Sequence, residues 1–90
     1  MPESCEATVT LTGDLHARPA GALSVAAGRY PCAVQLSVNG TLADAKSVLA
    51  VMQLGASNGQ QVTVRAVGPD AQDAVAALVA VLSAVTSAAD

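Results

Sequence analysis

The sequence predicts a small α+β domain in which three helices cover one side of a four-stranded antiparallel sheet. Apolar residues alternate at a period of two in four segments and recur at helical spacing in three others, in the order β-α-β-β-α-β-α. An Asn-Gly pair at 39–40 predicts a two-residue turn that makes two of the strands antiparallel. Each strand has one apolar face, which a single layer of helices is enough to bury.

Four segments alternate in the way of strands with one covered face. The apolar residues of the first two strands are Cys5, Ala7, Val9 and Leu11, then Cys32, Val34, Leu36 and Val38. Asn39 and Gly40 both tolerate positive φ, so residues 41–43 should fold back as the third strand. A second Asn-Gly pair at 58–59 marks the turn before the fourth strand, at 61–67.

Three segments combine helical spacing with start or stop signals. The first helix is predicted from Ala17 to about Arg29, and the third begins after the turn residues 68–70. Ser47 opens a short second helix that ends near Leu54, before a glycine. The apolar stripes of the first and third helices are Ala20, Leu23, Ala27 and Tyr30, and Ala71, Ala74, Val75, Leu78, Leu82 and Val85.

The last helix offers two acidic residues to its positive N-terminus, Asp70 or Asp73. The run 74–89 has no charged residue, yet it is rich in alanine and shorter than the ~20 apolar residues of a bilayer span. We therefore expect a buried or half-buried helix and no membrane insertion, with a frayed end after about Ala84.

Length and composition indicate a single domain over residues 1–90. Tyr30 is the one aromatic residue, so small side chains must form the core at high packing density. The net charge of −3, with four basic residues, gives nucleic-acid binding little support. Cys5 and Cys32 do not make a disulfide framework, and no basic secretory region precedes the first strand. We expect a cytoplasmic protein.

The segment Leu-His-Ala-Arg-Pro-Ala at 15–20 contains the one histidine of the chain, where the first helix is predicted to begin. Pro19 suits a helix start, so His16 falls at or near the N-cap. The backbone N–H of Ala17 and the positive end of the helix dipole then lie beside the imidazole, and Arg18 adds a planar cation that suits phosphate oxygens. A plain capping role is compatible with this position, but the combination indicates a phosphohistidine carrier.

Three motifs make the chain resemble HPr, the family of histidine-containing phosphocarriers of the bacterial sugar phosphotransferase system. They are Leu15-His16-Ala17-Arg18-Pro19-Ala20, Asn39-Gly40 and Lys46-Ser47-Val48-Leu49-Ala50-Val51-Met52-Gln53-Leu54-Gly55, in the family's order and spacing. The resemblance runs from about Glu6 to about Ala84 and implies an HPr-like open-faced β-sandwich with strand order 1-4-2-3. In that order the first two strands are not neighbours, so no Cys5–Cys32 disulfide is expected. It also implies a monomeric phosphoryl carrier that is not an enzyme and needs no cofactor or metal.

By the same resemblance, His16 accepts a phosphoryl group on Nδ1 from phosphorylated enzyme I and donates it to enzyme IIA domains. Arg18 and the N–H of Ala17 stabilise the phosphate. Ser47 matches a serine that a dedicated kinase, the HPr kinase/phosphorylase, phosphorylates in Gram-positive relatives. That modification impedes transfer to the histidine and permits binding to a transcription regulator. Ser47 is also the predicted N-cap of the second helix, and the two roles are compatible.

The resemblance further implies a docking patch for enzyme I and enzyme IIA. Its residues are Ala17, Ala20, Gly21, Val48, Leu49 and Met52. Spacing alone would place the last three in the core, as it does Val51 and Leu54. Asp14 departs from the family pattern, which usually has glycine two residues before the histidine. The loop either avoids positive φ there or uses an aspartate that tolerates it.

Several alternatives remain within and beyond this assignment. A carrier of a nitrogen-related or dihydroxyacetone phosphotransferase system shares the chemistry of His16 and differs in its partners. A mainly regulatory interaction protein would act through Ser47, but in relatives with that role the histidine is replaced. One histidine and two separated cysteines give no zinc spacing, and neither a phosphate-binding Gly-x-x-x-x-Gly-Lys loop nor a nucleophile with a second histidine is present.

Overall fold

The structure, a computed structural model, describes residues 3–85 of the 90-residue chain. The elements occur in the predicted order β-α-β-β-α-β-α, which confirms the α+β fold class. Their bounds are β1 Ser4–Thr10, α1 Ala17–Gly28, β2 Ala33–Val38, β3 Thr41–Asp44, α2 Val48–Gln53, β4 Gln61–Val67 and α3 Ala71–Ser83.

The four strands form one antiparallel sheet in the order β1-β4-β2-β3. This is the order that the family resemblance implies, and it is confirmed. Asn39 and Gly40 have φ values of 51° and 82°, so both positions of the turn between β2 and β3 are left-handed, as predicted. Because β4 lies between β1 and β2, Cys5 and the cysteine that precedes β2, Cys32, are not cross-strand neighbours, and both are free thiols.

One face of the sheet is covered by helices and the other is exposed. In β2, Val34, Leu36 and Val38 are buried, whereas Gln35 between them is exposed. Burial of a valine or leucine side chain contributes about 1.5–3 kcal/mol relative to its exposure. A register shift of one residue would turn all three toward water, so this alternation fixes the face that the helices cover.

The helical layer is built from small side chains. α3 packs against β1, β4 and α1, while α2 contacts α1 and β3. Four alanines of the two longer helices are completely buried: Ala20, Ala27, Ala71 and Ala74. Alanine and valine also supply most of the rest of the described core, so the predicted core of small residues is confirmed.

Asp70 and Asp73, the two acids predicted near the N-terminus of α3, occupy different positions there. Asp73 lies in the first turn, where a negative charge is favourable near the helix N-terminus. Asp70 occupies the N-cap position but makes no side-chain capping bond, and its backbone is left-handed, with φ 65° and ψ 25°. A capping side chain reaches the first-turn N–H groups from extended backbone, which Asp70 does not have.

The described chain ends with Val85, which is 4% exposed. Its carbonyl accepts a hydrogen bond from the hydroxyl of Thr12 at 2.8 Å, which ties the end of α3 to the chain before α1. The predicted fraying after about Ala84 concerns residues 86–90, which lie outside the described residues. Between residues 3 and 85, the structure contains no helix of the length and hydropathy that crossing a membrane requires.

Candidate functional site at the start of α1

His16 is the N-cap residue of α1, as the sequence predicts. Its backbone is extended, with φ −94° and ψ −165°, and its carbonyl accepts the first helical hydrogen bond from the N–H of Ala20 at 3.0 Å. Its side chain makes no capping bond and the residue is exposed. The imidazole is therefore presented at the surface, at the positive end of a 12-residue helix.

The first turn of α1 places backbone donors next to this imidazole. Ala17 and Arg18 are the first two helical residues, so helix geometry gives their N–H groups no acceptor within the helix. Pro19 has no N–H to satisfy and is buried, which suits it to the same turn. The turn thus exposes two donors beside the histidine while a buried proline holds it against the core.

Arg18 brings a permanent positive charge to the same end of the helix. The residue is exposed, as are His16 before it and Ala17 between them. A guanidinium offers several N–H donors in one plane, a geometry that matches two oxygens of a phosphate. The predicted set of His16, Ala17 and Arg18 is therefore brought together at one exposed helix end.

Hydrogen bonds join the loop before His16 to the segment that precedes β4. Leu15 is 3% exposed, and its N–H donates to the carbonyl of Ala56 at 2.9 Å. Asp14 is exposed, and its Oδ1 accepts a hydrogen bond from the N–H of Asn58 at 2.9 Å. Asp14 does not belong to the residues with positive φ, so the loop avoids that conformation. Sequence reasoning missed the bond to Asn58, since 44 positions separate its partners and no local pattern links them.

Val48, Leu49 and Met52 of α2 form an exposed apolar surface, although their spacing alone would place them in the core. They are 41%, 67% and 42% exposed. The inward face of this short helix is supplied by Val51, which is completely buried, while Leu54 packs partly buried against the core. Exposure of three large apolar side chains on one short helix is typical of a surface that binds partners.

The part of α1 in the predicted docking patch needs one correction. Ala17 is exposed and Gly21 is half-buried, so both offer surface beside the start of the helix. Ala20 is 0% exposed, and the prediction that it contacts partners is wrong. Position 20 lies on the inward stripe of α1 with Leu23 and Ala27, because residues three and seven apart share a helix face. The docking patch hereafter means Ala17, Gly21, Val48, Leu49 and Met52.

Ser47 is the N-cap of α2, as predicted. Its backbone is extended, and its Oγ accepts a hydrogen bond from the N–H of Ala50 at 3.2 Å. The preceding residue, Lys46, donates from Nζ to the carbonyl of Tyr30 at 2.9 Å. The ammonium next to Ser47 is therefore bound to the chain segment that follows α1.

A buried hydrogen bond joins α1 to the connection that leads into α2. The hydroxyl of Ser24 donates to the carbonyl of Ala45 at 3.0 Å, and Ser24 is only 8% exposed. An unsatisfied buried hydroxyl is costly, so this bond favours one relative placement of the two helices. Together, the Ser24–Ala45 bond and the Lys46–Tyr30 bond favour one placement of the α1 part of the docking patch relative to its α2 part.

Comparison with known proteins places this arrangement in a family. A family model described as the PTS HPr component phosphorylation site matches residues 3–84. The chain belongs to the HPr family. It is also similar to the phosphocarrier protein HPr of Cupriavidus necator, with 44% identity over 69 residues that cover 77% of this chain and 78% of that protein.

Solved HPr structures share the fold. HPr from Bacillus anthracis is 30% identical, with a TM-score of 0.78 over 90% of this chain and 96% of its own. Crh, the catabolite repression HPr of Bacillus subtilis, is 34% identical, with a TM-score of 0.74 over 91% and 98% of the two chains. As an HPr family member, the chain is a phosphocarrier component of a phosphotransferase system and not a catalytic enzyme.

Proposed function

We propose that this HPr family member carries a phosphoryl group on Nδ1 of His16, taken from phosphorylated enzyme I and passed to enzyme IIA domains. The observation that carries the proposal is the placement of an exposed histidine at the N-cap of α1, beside two first-turn N–H groups and Arg18. The expected site of action is the cytoplasm, where the partner proteins meet as separate molecules.

In the proposed step, the lone pair of His16 Nδ1 attacks the phosphorus atom. A bond forms between nitrogen and phosphorus on His16 as the bond from phosphorus to the enzyme I side chain breaks, and the electron pair of the broken bond stays with enzyme I. Attack requires an imidazole with an unprotonated nitrogen at the moment of transfer. Transfer to enzyme IIA is the same exchange in the opposite sense, so no water or cofactor enters the balance.

The first turn of α1 supplies the stabilisation of the transferred group. The N–H groups of Ala17 and Arg18 and the positive helix end favour a dianionic phosphoryl group, as helix N-termini do in general. The Arg18 guanidinium adds bidentate contact. Ala17 and Arg18 are exposed residues, so each interaction is modest in water. A carrier benefits from that, because a strongly held phosphoryl group would not be passed on.

The docking patch is the proposed contact for enzyme I and enzyme IIA in turn. It lies on α1 and α2, which contact each other, and it includes both Ala17 at the phosphorylation site and the exposed face of α2. Met52 contributes a flexible apolar side chain, which adapts to partners of different shape. A small apolar surface of this kind suits complexes that must dissociate quickly.

Ser47 is the proposed site of regulation by an HPr kinase/phosphorylase. A phosphate on Oγ would lie at the N-terminus of α2, next to Lys46 and to two exposed residues of the docking patch, Val48 and Leu49. The added negative charge would act on partner binding without unfolding the helix. The modified form is then the one expected to bind a transcription regulator.

The proposal leaves open which branch of the phosphotransferase system the protein serves. A sugar branch, a nitrogen-related branch and a dihydroxyacetone branch all use the same histidine chemistry, and they differ in the acceptor. A mainly regulatory role through Ser47 is less well supported, because the chain has an exposed histidine at the helix start.

Incubation with enzyme I and phosphoenolpyruvate tests the proposal directly. The parent protein and Ser47→Ala should both gain one phosphate that is lost in acid, as expected for a phosphorus–nitrogen bond, and His16→Ala should gain none. Acid-stable label, or label that persists in His16→Ala, would contradict the assignment of His16. Chase of the labelled parent with enzyme IIA domains of each branch then identifies the acceptor by the rate of loss.

A further inference from the structure

The loop that leads into α1 is fastened to a distant turn. The pre-helix loop, residues 11–15, runs beside the 56–60 turn that precedes β4, and four hydrogen bonds join them. Each is 2.9 Å long, and the pairs are Leu11 N–H to Gln60 O, Gly59 N–H to Leu11 O, Leu15 N–H to Ala56 O and Asn58 N–H to Asp14 Oδ1.

Asp14 differs from the other members of this set. The first three bonds join main-chain atoms, so almost any residue at those positions retains them. The fourth needs a side-chain acceptor at position 14. Because its acceptor is a carboxylate, this bond is charge-assisted, and at 2.9 Å it has the same length as the three main-chain bonds. The chain therefore has a loop contact that depends on one residue.

We propose that Asp14 is a positioning residue for His16: its bond to the Asn58 N–H holds the pre-helix loop so that the backbone of His16 keeps one position, which narrows the range of positions its imidazole takes for transfer. This inference rests on the proposed function of His16. Asp14 acts through the backbone and contacts neither the phosphoryl group nor a partner in this role.

Only Leu15 separates Asp14 from His16 in the chain. Leu15 is fixed by its buried side chain and by its bond to Ala56. Asp14 fixes the chain on the other side of Leu15. With both held, His16 keeps the extended backbone that sets the origin of its side chain, leaving two side-chain torsions to place Nδ1. A nucleophile that is already oriented loses less freedom on the way to the transition state.

Three variants separate this role from others. Asp14→Ala removes the acceptor and the charge, and Asp14→Asn keeps an oxygen acceptor without the charge. Gln60→Ala is the matched control: the Oε1 of Gln60 accepts from the N–H of Ser57 at 2.8 Å and from its hydroxyl at 3.2 Å, so the variant loses side-chain acceptor contacts within the same turn. The bond of the Gln60 carbonyl to Leu11 is retained.

Single-turnover phosphorylation by enzyme I and ¹⁵N relaxation of the amides at 15–18 give two independent readouts. We expect Asp14→Ala to slow transfer at saturating enzyme I by about three- to tenfold, the effect of one exposed hydrogen bond, with an unchanged concentration for half-saturation. The same variant should show lower amide order at 15–18. Asp14→Asn should recover most of the parent rate and order, and Gln60→Ala should match the parent.

Several results would overturn the inference. One is a transfer rate in Asp14→Ala equal to that of the parent. Another is a transfer rate that falls by the same factor in Asp14→Asn, or in Gln60→Ala, as in Asp14→Ala. Unchanged amide order in Asp14→Ala would overturn it without reference to phosphate transfer. Failure of the parent to accept phosphate would instead refute the proposed function, and the relaxation data would still decide whether Asp14 orders the residues around His16.

Discussion

Ser47 allows capping and regulation to be separated by two substitutions at one position. Ser47→Ala removes the hydroxyl that accepts from the N–H of Ala50. Ser47→Asp keeps a capping acceptor and adds the negative charge that a phosphate would bring. If Ser47 is both a cap and a regulatory site, the first change should affect stability alone and the second should affect phosphorylation of His16 alone.

The magnitude of the stability effect follows from the contact. The distance of 3.2 Å lies at the long end of the hydrogen-bond range, and Ser47 is half-buried. Loss of an N-cap costs about 0.5–2 kcal/mol, and this geometry places Ser47→Ala near 1 kcal/mol. For a domain of this size that corresponds to a fall in Tm of roughly 4–8 °C. Ser47→Asp should keep the parent Tm, because a carboxylate caps the helix and interacts favourably with its dipole.

The effect on transfer follows from the position of the charge. Ser47 directly precedes Val48 and Leu49, two exposed residues of the docking patch. A new negative charge there should weaken binding of a partner whose contact surface is acidic, and so slow enzyme I-dependent labelling of His16. Ser47→Ala adds no charge and should be labelled at the parent rate.

The assay measures Tm by circular dichroism and the initial labelling rate with enzyme I and phosphoenolpyruvate. Ser37→Asp is the control for charge alone, since Ser37 lies on the exposed face of the sheet and lines a shallow depression of about 300 Å³. It should leave the labelling rate unchanged. Equal labelling rates for Ser47→Asp and Ser47→Ala would leave Ser47 as a cap with no inhibitory role. An equal loss in Ser37→Asp would show that net charge, not position, causes the effect.

The remaining predictions concern the phosphorylation site and the docking patch. His16→Ala should abolish acid-labile labelling and change the free energy of unfolding by less than about 1 kcal/mol, because His16 is exposed and an N-cap side chain contributes about that much or less; a large loss of stability would contradict this. Arg18→Lys should slow transfer to enzyme IIA in rapid-quench experiments, since an ammonium cannot make bidentate contact, and a parent rate would refute that role. Met52→Glu should weaken binding to enzyme I in calorimetric titrations with little change in Tm, because Met52 is 42% exposed. Leu42→Glu, at a residue that is 63% exposed on the other face of the sheet, should bind normally. A loss of unfolding free energy in Met52→Glu as large as truncation of a core methionine causes, ~2–5 kcal/mol, would refute the exposed role of Met52.

Local signals determined the elements of this fold. The period of two in β2, the Asn-Gly pair before β3 and the serine before α2 each depend on neighbouring residues, and each appears in the structure where it was predicted. The same holds for His16 as an N-cap. Backbone sterics, capping and side-chain alternation act over a few residues, so the sequence alone is enough to locate them.

Tertiary structure decided the contacts between distant segments. Periodicity did not specify that β1 pairs with β4, where Thr8 lies opposite Thr63, and the strand order came from the family resemblance. Periodicity placed Ala20 on the buried stripe of α1, and it was the resemblance that wrongly assigned this residue to the docking patch. Periodicity did not show that Val48, Leu49 and Met52 face outward. Nor did it link Asp14 to Asn58. Each of these depends on which surface packs against which, and a stripe of apolar residues specifies that a face is suited to burial without specifying what buries it.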